Sequence, residues 1–357
     1  MLSECVHSRH LYLTNSGISA FYIILQALKK ESQKSEVIVP AYTASTLVDA
    51  IRKAGLKPVL CDISLDDFNI DTESLPGIIT SRTLCVVCVH MFGIPVKNIE
   101  KLRHSLPDGI FLIEDCAQAM GSVIGSKPVG TFSDAGIFSF NRGKNLPTCE
   151  GGCLFTSSDE LSTGVESIMN GLRPAAFAQQ VSLFVKLLSL AIAFKPSFYS
   201  VLYPLISVMK ENRSAPDFTL AHYTSVQTAL GIALLKKFNA SCARRYRNGM
   251  ALIDGVKNID GILLPRIPRG VLPAFNRLPI LFRDLKERAH VEMTLRDAGI
   301  ESSRMYGRPL HHLFPLDYKK DDLPNSVYFA HHLLTLPVHP LVTEGHLSRM
   351  INTIAKT

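Results

Sequence analysis

The sequence predicts an α/β protein: a large domain with a mainly parallel sheet over residues 1–250, carrying a helical insertion at about 160–220, and a smaller α+β domain over 251–357. Three observations support this. Short apolar runs alternate with amphipathic helical stretches through residues 1–160, the order that builds parallel sheets from strand–helix–strand units. The 357 residues exceed what a single hydrophobic core usually organises. After a mostly helical stretch, a second set of strand and helix signals begins near residue 260.

The elements follow in order. Ile18–Lys30 has apolar residues at helical spacing. Glu36–Pro40 (EVIVP) is a short buried strand, and Thr46–Ala54 a helix stopped by Gly55. Pro58–Cys61 is a strand ending at Asp62. Leu84–His90 is a strand, Asn98–His104 a helix and Ile110–Ile113 a strand, followed by strands Ala135–Phe140 and Gly152–Thr156. In the C-terminal part, Arg277–Phe282 (RLPILF) is a strand and Arg288–Ala298 a helix capped by Gly299. The tail from Leu333 makes a strand, a turn and a closing helix, with Thr343 and His346 at its start. Right-handed crossovers gather the loops of such units at one sheet edge, where ligands bind.

Composition narrows the function. Hydrophobic residues make up 46% and charged residues 19% of the chain, which excludes a disordered protein. The net charge of +7 is spread without a basic stripe or a nucleic-acid-binding motif, so nucleic acid is not an expected partner. The eight cysteines lie mostly inside apolar runs, as small hydrophobes do. Cys85-x-x-Cys88 has redox or metal spacing, but it sits in a strand-like run that sends the two thiols to different faces, so no metal site is expected. The N-terminus carries no secretory signal, and the expected location is the cytoplasm. Val181–Met209 is apolar but is divided by Lys186, Lys195, Pro196 and Pro204. It falls short of the roughly 20 apolar residues of a spanning helix. It reads as a buried or oligomer-interface segment, with a peripheral contact at the inner membrane face as the rival reading.

The chemistry concentrates in Phe111–Thr156, FLIEDCAQAMGSVIGSKPVGTFSDAGIFSFNRGKNLPTCEGGCLFT. A carboxylate pair, Glu114 and Asp115, ends an apolar run. About thirty residues on, Lys144 stands on a loop of small and polar residues. A pyridoxal phosphate (PLP) enzyme needs both features. The carboxylate keeps the pyridine nitrogen protonated, which makes the ring an electron sink, and the lysine binds the cofactor carbonyl covalently. Asn15-Ser16-Gly17-Ile18-Ser19 precedes the first helix, where free backbone N–H groups and the helix dipole suit a phosphate; capping by Ser16 fits the same geometry.

The chain resembles the DegT/DnrJ/EryC1/StrS family of PLP-dependent sugar aminotransferases over nearly its whole length. The resemblance rests on EDCAQAMGS, VGTFSDAGIFSFNRGKN and EGG, supported by TNSGISAF, EVIVPAYTASTLVDAIRKAGLKPVLCDI, VHMFGIP, GIESSRMYGRPLHHL and LPVHPLVTEG. It implies the three-layer α/β/α architecture of PLP-dependent transferase fold type I, with a mostly parallel seven-stranded sheet, and a homodimer. It implies that Lys144 is the Schiff-base lysine and Asp115 the partner of the pyridinium nitrogen. Gln118 would lie near the ring, and Ser139 with Ser16, Gly17 and Ile18 near the phosphate. Asn141, beside the lysine, would contact the cofactor, and Asn170 would reach the neighbouring subunit's phosphate. Tyr42, His90, Tyr306, Arg308 and His311 would lie near the sugar. The reaction implied is amino transfer from a donor, glutamate by analogy, to a keto-sugar carried on a nucleotide.

The chain departs from the family pattern at three places: Ile18 where a threonine is usual, Ala44 where many relatives stack an aromatic on the ring, and Asn141 where many have histidine. Two rival readings stay open on this basis. One is a PLP-dependent sugar dehydratase or isomerase, against which the retained Lys144 speaks. The other is a non-catalytic regulatory or binding descendant of the fold.

Overall fold

The computed structural model describes residues 2, 5–172, 177–193 and 218–356. Its frame is a seven-stranded sheet of β1 (His10–Thr14), β2 (Glu36–Pro40), β3 (Lys57–Cys61), β4 (Thr83–Val89), β5 (Phe111–Asp115), β8 (Ala135–Ser139) and β9 (Gly152–Thr156), in the order β1-β9-β8-β5-β4-β2-β3. The neighbours from β8 to β3 pair in parallel, and β9 runs antiparallel to both β1 and β8. Six strands therefore point one way and only β9 opposes them. The parallel strands are buried on both faces, as such sheets must be; all seven residues of β4 are buried.

Helices cover both faces. α1 (Gly17–Glu31), α2 (Thr46–Lys53) and α5 (Asp159–Met169) pack on one side, and α3 (Leu75–Ile78) and α4 (Ile99–Ser105) on the other. The α1 sequence explains its place. Ser16, in extended backbone, accepts a hydrogen bond from the Ser19 amide and so caps the helix, while Phe21, Ile24, Leu25 and Leu28 form the stripe that faces the sheet. The period-2 alternation along each strand assigns side chains to faces. Thus Cys85 joins the α1 side and Cys88 the α4 side, and the Cys-x-x-Cys spacing brings no thiol pair together.

A second sheet, β10 (Ile262–Leu263), β12 (Leu278–Phe282) and β13 (Leu333–Leu336), is antiparallel and runs β10-β12-β13. Helices Leu285–Asp297 and Pro324–His332 pack on it, and a third helix, Glu344–Ala355, packs on the first of these. The last starts with a capping box: the Thr343 side chain accepts from the His346 amide, and the His346 ring reaches back to the Thr343 amide. Helix Phe238–Val256 runs through position 250 and packs on this closing helix. A small hairpin, β6 (Val123–Ile124) with β7 (Lys127–Pro128), takes β11 (Val271–Leu272) as its third strand. The segment around residue 271 is thereby tied to the loop that follows Asp115.

Most expected elements stand within a residue or two of their sequence positions; the helix expected at Arg288–Ala298 starts three residues earlier, at Leu285, because Asp284 caps it, and two further differences lie at the N-terminal side. β1 was not expected, because its half-buried HLYLT is short and flanked by polar turns. β5 runs two residues further than its apolar core, through Glu114 and Asp115, because both carboxylates are stabilised inside the sheet edge rather than on its surface. Of the apolar segment 181–209, residues 194–209 lie outside the described residues. The remainder belongs to α6 (Phe177–Ala193), with Val181, Phe184, Val185 and Leu188 exposed and Leu183 buried. Among the described residues no helix is long and apolar enough to cross a membrane.

Candidate active site

The C-terminal ends of β2, β4, β5 and β8 and the N-terminus of α1 meet at one sheet edge, so residues about 16–17, 42, 90, 115 and 139 come together from separate parts of the chain. At the end of β5 the two carboxylates part. Leu112 and Glu114 face the α4 side, and Ile113 and Asp115 the α1 side. Asp115 is almost fully buried; its Oδ1 accepts the Ala117 amide at 2.9 Å. Burial raises its pKa, while that amide and the nearby Lys144 ammonium and His90 draw it back down.

Lys144, half-buried on the β8–β9 loop, lies near enough to Asp115 for the charge of each to act on the other. Burial lowers its pKa and the attraction of Asp115 raises it. A larger fraction of the amine is therefore neutral, and so nucleophilic, than on an ordinary lysine. The loop is closed at its base by Thr148 N–H donating to the Phe140 carbonyl at 2.9 Å and Phe140 N–H to the Gly151 carbonyl at 2.8 Å. Gly143 takes φ +81°, a left-handed conformation that lets the chain turn just before the lysine. Tyr223 donates to Thr148 Oγ1 at 2.8 Å, and Gln227 Nε2 to the Glu150 carbonyl at 2.9 Å, bracing the far side.

Glu114 is structural. It accepts the Gly130 amide at 2.7 Å, the Phe132 amide at 2.9 Å, the Ser133 hydroxyl at 2.8 Å and His90 Nε2 at 3.0 Å. His90 is wholly buried, and its Nδ1 accepts the Val96 amide at 2.9 Å. Both ring nitrogens are occupied, so His90 does not offer the substrate contact expected of it; it ties the β4 end to β5 behind Asp115. His90, Glu114 and Cys116 lie close enough to suggest a metal cluster, but with both imidazole nitrogens and all the Glu114 contacts committed to protein groups no ligand set is left.

Tyr42 is likewise placed beneath the site rather than in it. It is fully buried against Phe329, with ring centroids 4.7 Å apart. Its hydroxyl donates to the Arg304 carbonyl at 3.4 Å and accepts the Tyr306 amide at 3.2 Å. Tyr42 therefore pegs the 304–306 turn and does not replace the ring-stacking aromatic absent at Ala44. The turn carries Tyr306 to the site: its phenol lies close enough to Asp115 and Gln118 for both to act on it, and burial raises its pKa first of all. Gln118, itself buried, accepts the Phe92 amide through Oε1 at 3.1 Å.

Where α1 begins, the chain leaves no room for a side chain. A Cβ on Gly17 would lie 2.8 Å from Ser139 Cβ and 3.2 Å from Ser139 Oγ, and a Cβ on Gly152 would lie 2.5 Å from the Gly17 nitrogen. The α1 N-terminus, the end of β8 and the start of β9 thus pack backbone to backbone beside the Ser139 hydroxyl. Ser16 and Ser19 spend their hydroxyls on each other at 2.8 Å, and Ser19 reaches the Thr219 carbonyl at 3.4 Å. The hydroxyl missing at Ile18 is therefore not recovered from Ser19. This cradle, the amine of Lys144 and the carboxylate of Asp115 are the donor set that PLP requires at its phosphate, carbonyl and ring nitrogen, and they fit it.

Other expected residues fall outside this cluster. Asn141 is exposed and its Oδ1 accepts the Arg142 amide at 2.8 Å. Asn170 is exposed at the end of α5. Arg308 is exposed. His311 is buried against His312, with Nε2 toward the Lys320 carbonyl at 3.4 Å and burial lowering its pKa. Residues that sequence reasoning missed are the ones that hold the loop in place, above all Asn276. A lone asparagine just ahead of a strand gives no signal.

The family model described as the DegT/DnrJ/EryC1/StrS aminotransferase family matches residues 1–194 and 217–355. The spore coat polysaccharide biosynthesis protein SpsC of Bacillus subtilis is 27% identical over 98% of this chain and 85% of its own length. The GDP-perosamine synthase of Vibrio cholerae is 34% identical over 44% of this chain and 42% of its own. In structure, DesV of S. venezuelae, solved in complex with a ketimine intermediate, superposes with a TM-score of 0.78 at 22% identity, covering 99% of this chain and 86% of that one. With a glycine-lined helix end beside Ser139, a lysine near a buried carboxylate and a family match across nearly all of its residues, the chain belongs to the DegT/DnrJ/EryC1/StrS aminotransferase family.

Proposed function

We propose that this PLP-dependent sugar aminotransferase moves an amino group from glutamate to a keto-sugar carried on a nucleotide, with Lys144 and Asp115 as its catalytic residues. The observation that carries the reading is that Lys144, on the loop after β8, lies near enough to the buried Asp115 at the sheet edge for the two charges to act on one another. The comparisons support the sugar as substrate, since the relatives include a GDP-perosamine synthase.

The roles follow from position. Backbone N–H groups at the start of α1 and the Ser139 hydroxyl would hold the phosphate, anchoring the cofactor at one end. Asp115 would accept the ring N–H at the other end and keep that proton in place. PLP, when bound, supplies an electron sink for the electron pair released at the reacting carbon. Lys144 Nζ takes the proton from the donor's α-carbon in the first half of the reaction and returns one to the sugar carbon in the second. Gln118 and Tyr306 fill the space beside Asp115 and exclude water from it. The positive net charge is compatible with a diphosphate-bearing substrate.

A homodimer is part of this proposal. The exposed side chains of Val181, Phe184, Val185 and Leu188 on α6, with Ile232 exposed on the helix Ser225–Leu235 that packs on α6, offer apolar surface for a second copy. Sedimentation at the monomer mass, or co-flotation with anionic liposomes, would overturn that part in favour of the membrane reading.

The test of the whole is the absorbance of the PLP-loaded protein before and after glutamate, beside Lys144→Ala. The expected result is a near-visible band that bleaches with glutamate and is missing in the variant. A band that ignores glutamate would remove glutamate as donor. No band in the unmutated protein would leave the non-catalytic descendant as the reading.

A further inference from the structure

The loop that carries Lys144 is held from both sides by a segment 130 residues away in the chain. The Asn276 side chain donates through Nδ2 to the carbonyl of Gly143, the residue just before the lysine, at 2.6 Å. Asn145, the residue just after it, donates through its own Nδ2 to the Ala274 carbonyl at 2.7 Å and the Met120 carbonyl at 2.9 Å. Both asparagines are buried. The segment 274–276 is itself fixed. Asn276 N–H donates to the Phe92 carbonyl at 2.8 Å, and Ala274 N–H to Ser122 Oγ at 2.8 Å. Arg245 Nη1 donates to the carbonyls of Phe275 and Asn276, each at 3.1 Å. A Cβ on Gly93 would come within 2.9 Å of the Ala274 carbonyl oxygen, so this segment lies directly on the 91–93 turn. That turn in turn holds Gln118 through the Phe92 amide.

We infer that Asn276 is a positioning residue for the Lys144 amine, setting its place relative to Asp115 and Gln118. The inference rests on the reading of Lys144 as the cofactor-binding lysine. The physics is a matter of which donor the Gly143 carbonyl can find. With Gly143 in a left-handed conformation, the loop has a backbone hinge beside the lysine, and the Asn276 amide is the contact that stops it. Remove the donor and the carbonyl turns to water, carrying the following residue with it. The Lys144 side chain then spends more time solvated, where its amine is protonated and unreactive at neutral pH. The bonds from Asn145 keep the loop folded, so the loss is one of aim rather than of structure.

The experiment compares the unmutated protein with Asn276→Asp, which keeps the shape but presents an oxygen to the Gly143 carbonyl, and Asn276→Ala. Four readouts are used: mass location of the borohydride-trapped PLP, rate of PLP attachment against pH, hydrogen exchange of the 141–149 peptide without PLP, and kcat and KM for the amino donor. The expected result is tenfold or slower PLP attachment in both variants, with its pH midpoint moved upward. Faster exchange at 141–149 without PLP is expected, and kcat falls while donor KM stays within about twofold. Attachment at the unmutated rate and pH midpoint with unchanged exchange at 141–149 overturns the inference. If the unmutated protein traps PLP elsewhere than Lys144, the reading of the site fails, and the exchange of the PLP-free loop still decides whether Asn276 holds it. Should Asn276→Ala fail to fold, the isosteric Asn276→Asp carries the comparison.

Discussion

Gly17→Ala tests the phosphate cradle with one methyl group. Its Cβ would sit 2.8 Å from Ser139 Cβ, 3.2 Å from Ser139 Cα and 3.2 Å from Ser139 Oγ. Two of those atoms leave only backbone movement as relief, and Gly152 presses on the same amide from the other side. Overpacking of this kind costs about 1–3 kcal/mol. Against it stands the helix preference of alanine, at most ~1 kcal/mol in a helix interior and less at a first position. The clash therefore wins, with a net loss of about 1–2 kcal/mol. At roughly 2 cal/mol/K of unfolding entropy per residue, that lowers the melting temperature of a chain this long by only about 1–3 °C. The effect on the cofactor is larger. The crowded N–H groups are those proposed to meet the phosphate, and a hydrogen bond to a charged group contributes about 1.5–3 kcal/mol, so PLP affinity should fall roughly ten- to a hundredfold. The assay is a PLP titration followed by absorbance, with a thermal melt of the PLP-free protein beside it. A variant that melts slightly lower but binds PLP with unmutated affinity would refute the assignment of the phosphate to this helix end.

Two further perturbations separate the paired carboxylates. Asp115→Asn should lower amino transfer by about 10²–10³-fold, as loss of one electrostatic stabiliser does. Because the Asp115 charge raises the Lys144 pKa, the pH midpoint of lysine modification in the PLP-free variant should move down; an upward or absent shift would mean that the two groups do not face one another. Glu114→Gln puts an amide donor among two backbone N–H groups, a hydroxyl and an imidazole, at a cost of about 1–3 kcal/mol for each group left unsatisfied. Urea unfolding should show that loss with the cofactor spectrum unaltered, and a change in spectrum without loss of stability would give Glu114 a place in the chemistry.

Much of this protein is legible in the sequence because its defining features are local. An apolar run reads as a strand whatever surrounds it, and the stretch from Glu114 to Gly152 carries the carboxylate, the serine and the lysine on adjacent elements of one sheet. The parallel α/β class, most element boundaries and the candidates Asp115, Ser139 and Lys144 follow from that contiguity and from the family resemblance. The tertiary structure decided what lies far apart in the chain. Whether Tyr42 and His90 meet a substrate depends on packing from Phe329, Glu114 and Val96, which bury the first and occupy the second. Whether a lysine on a glycine-hinged loop points steadily at its carboxylate depends on Asn276, some 130 positions downstream, donating to the Gly143 carbonyl. No period, cap or charge pattern marks such a contact, because its energy comes from two groups that only the folded chain brings together and removes from water.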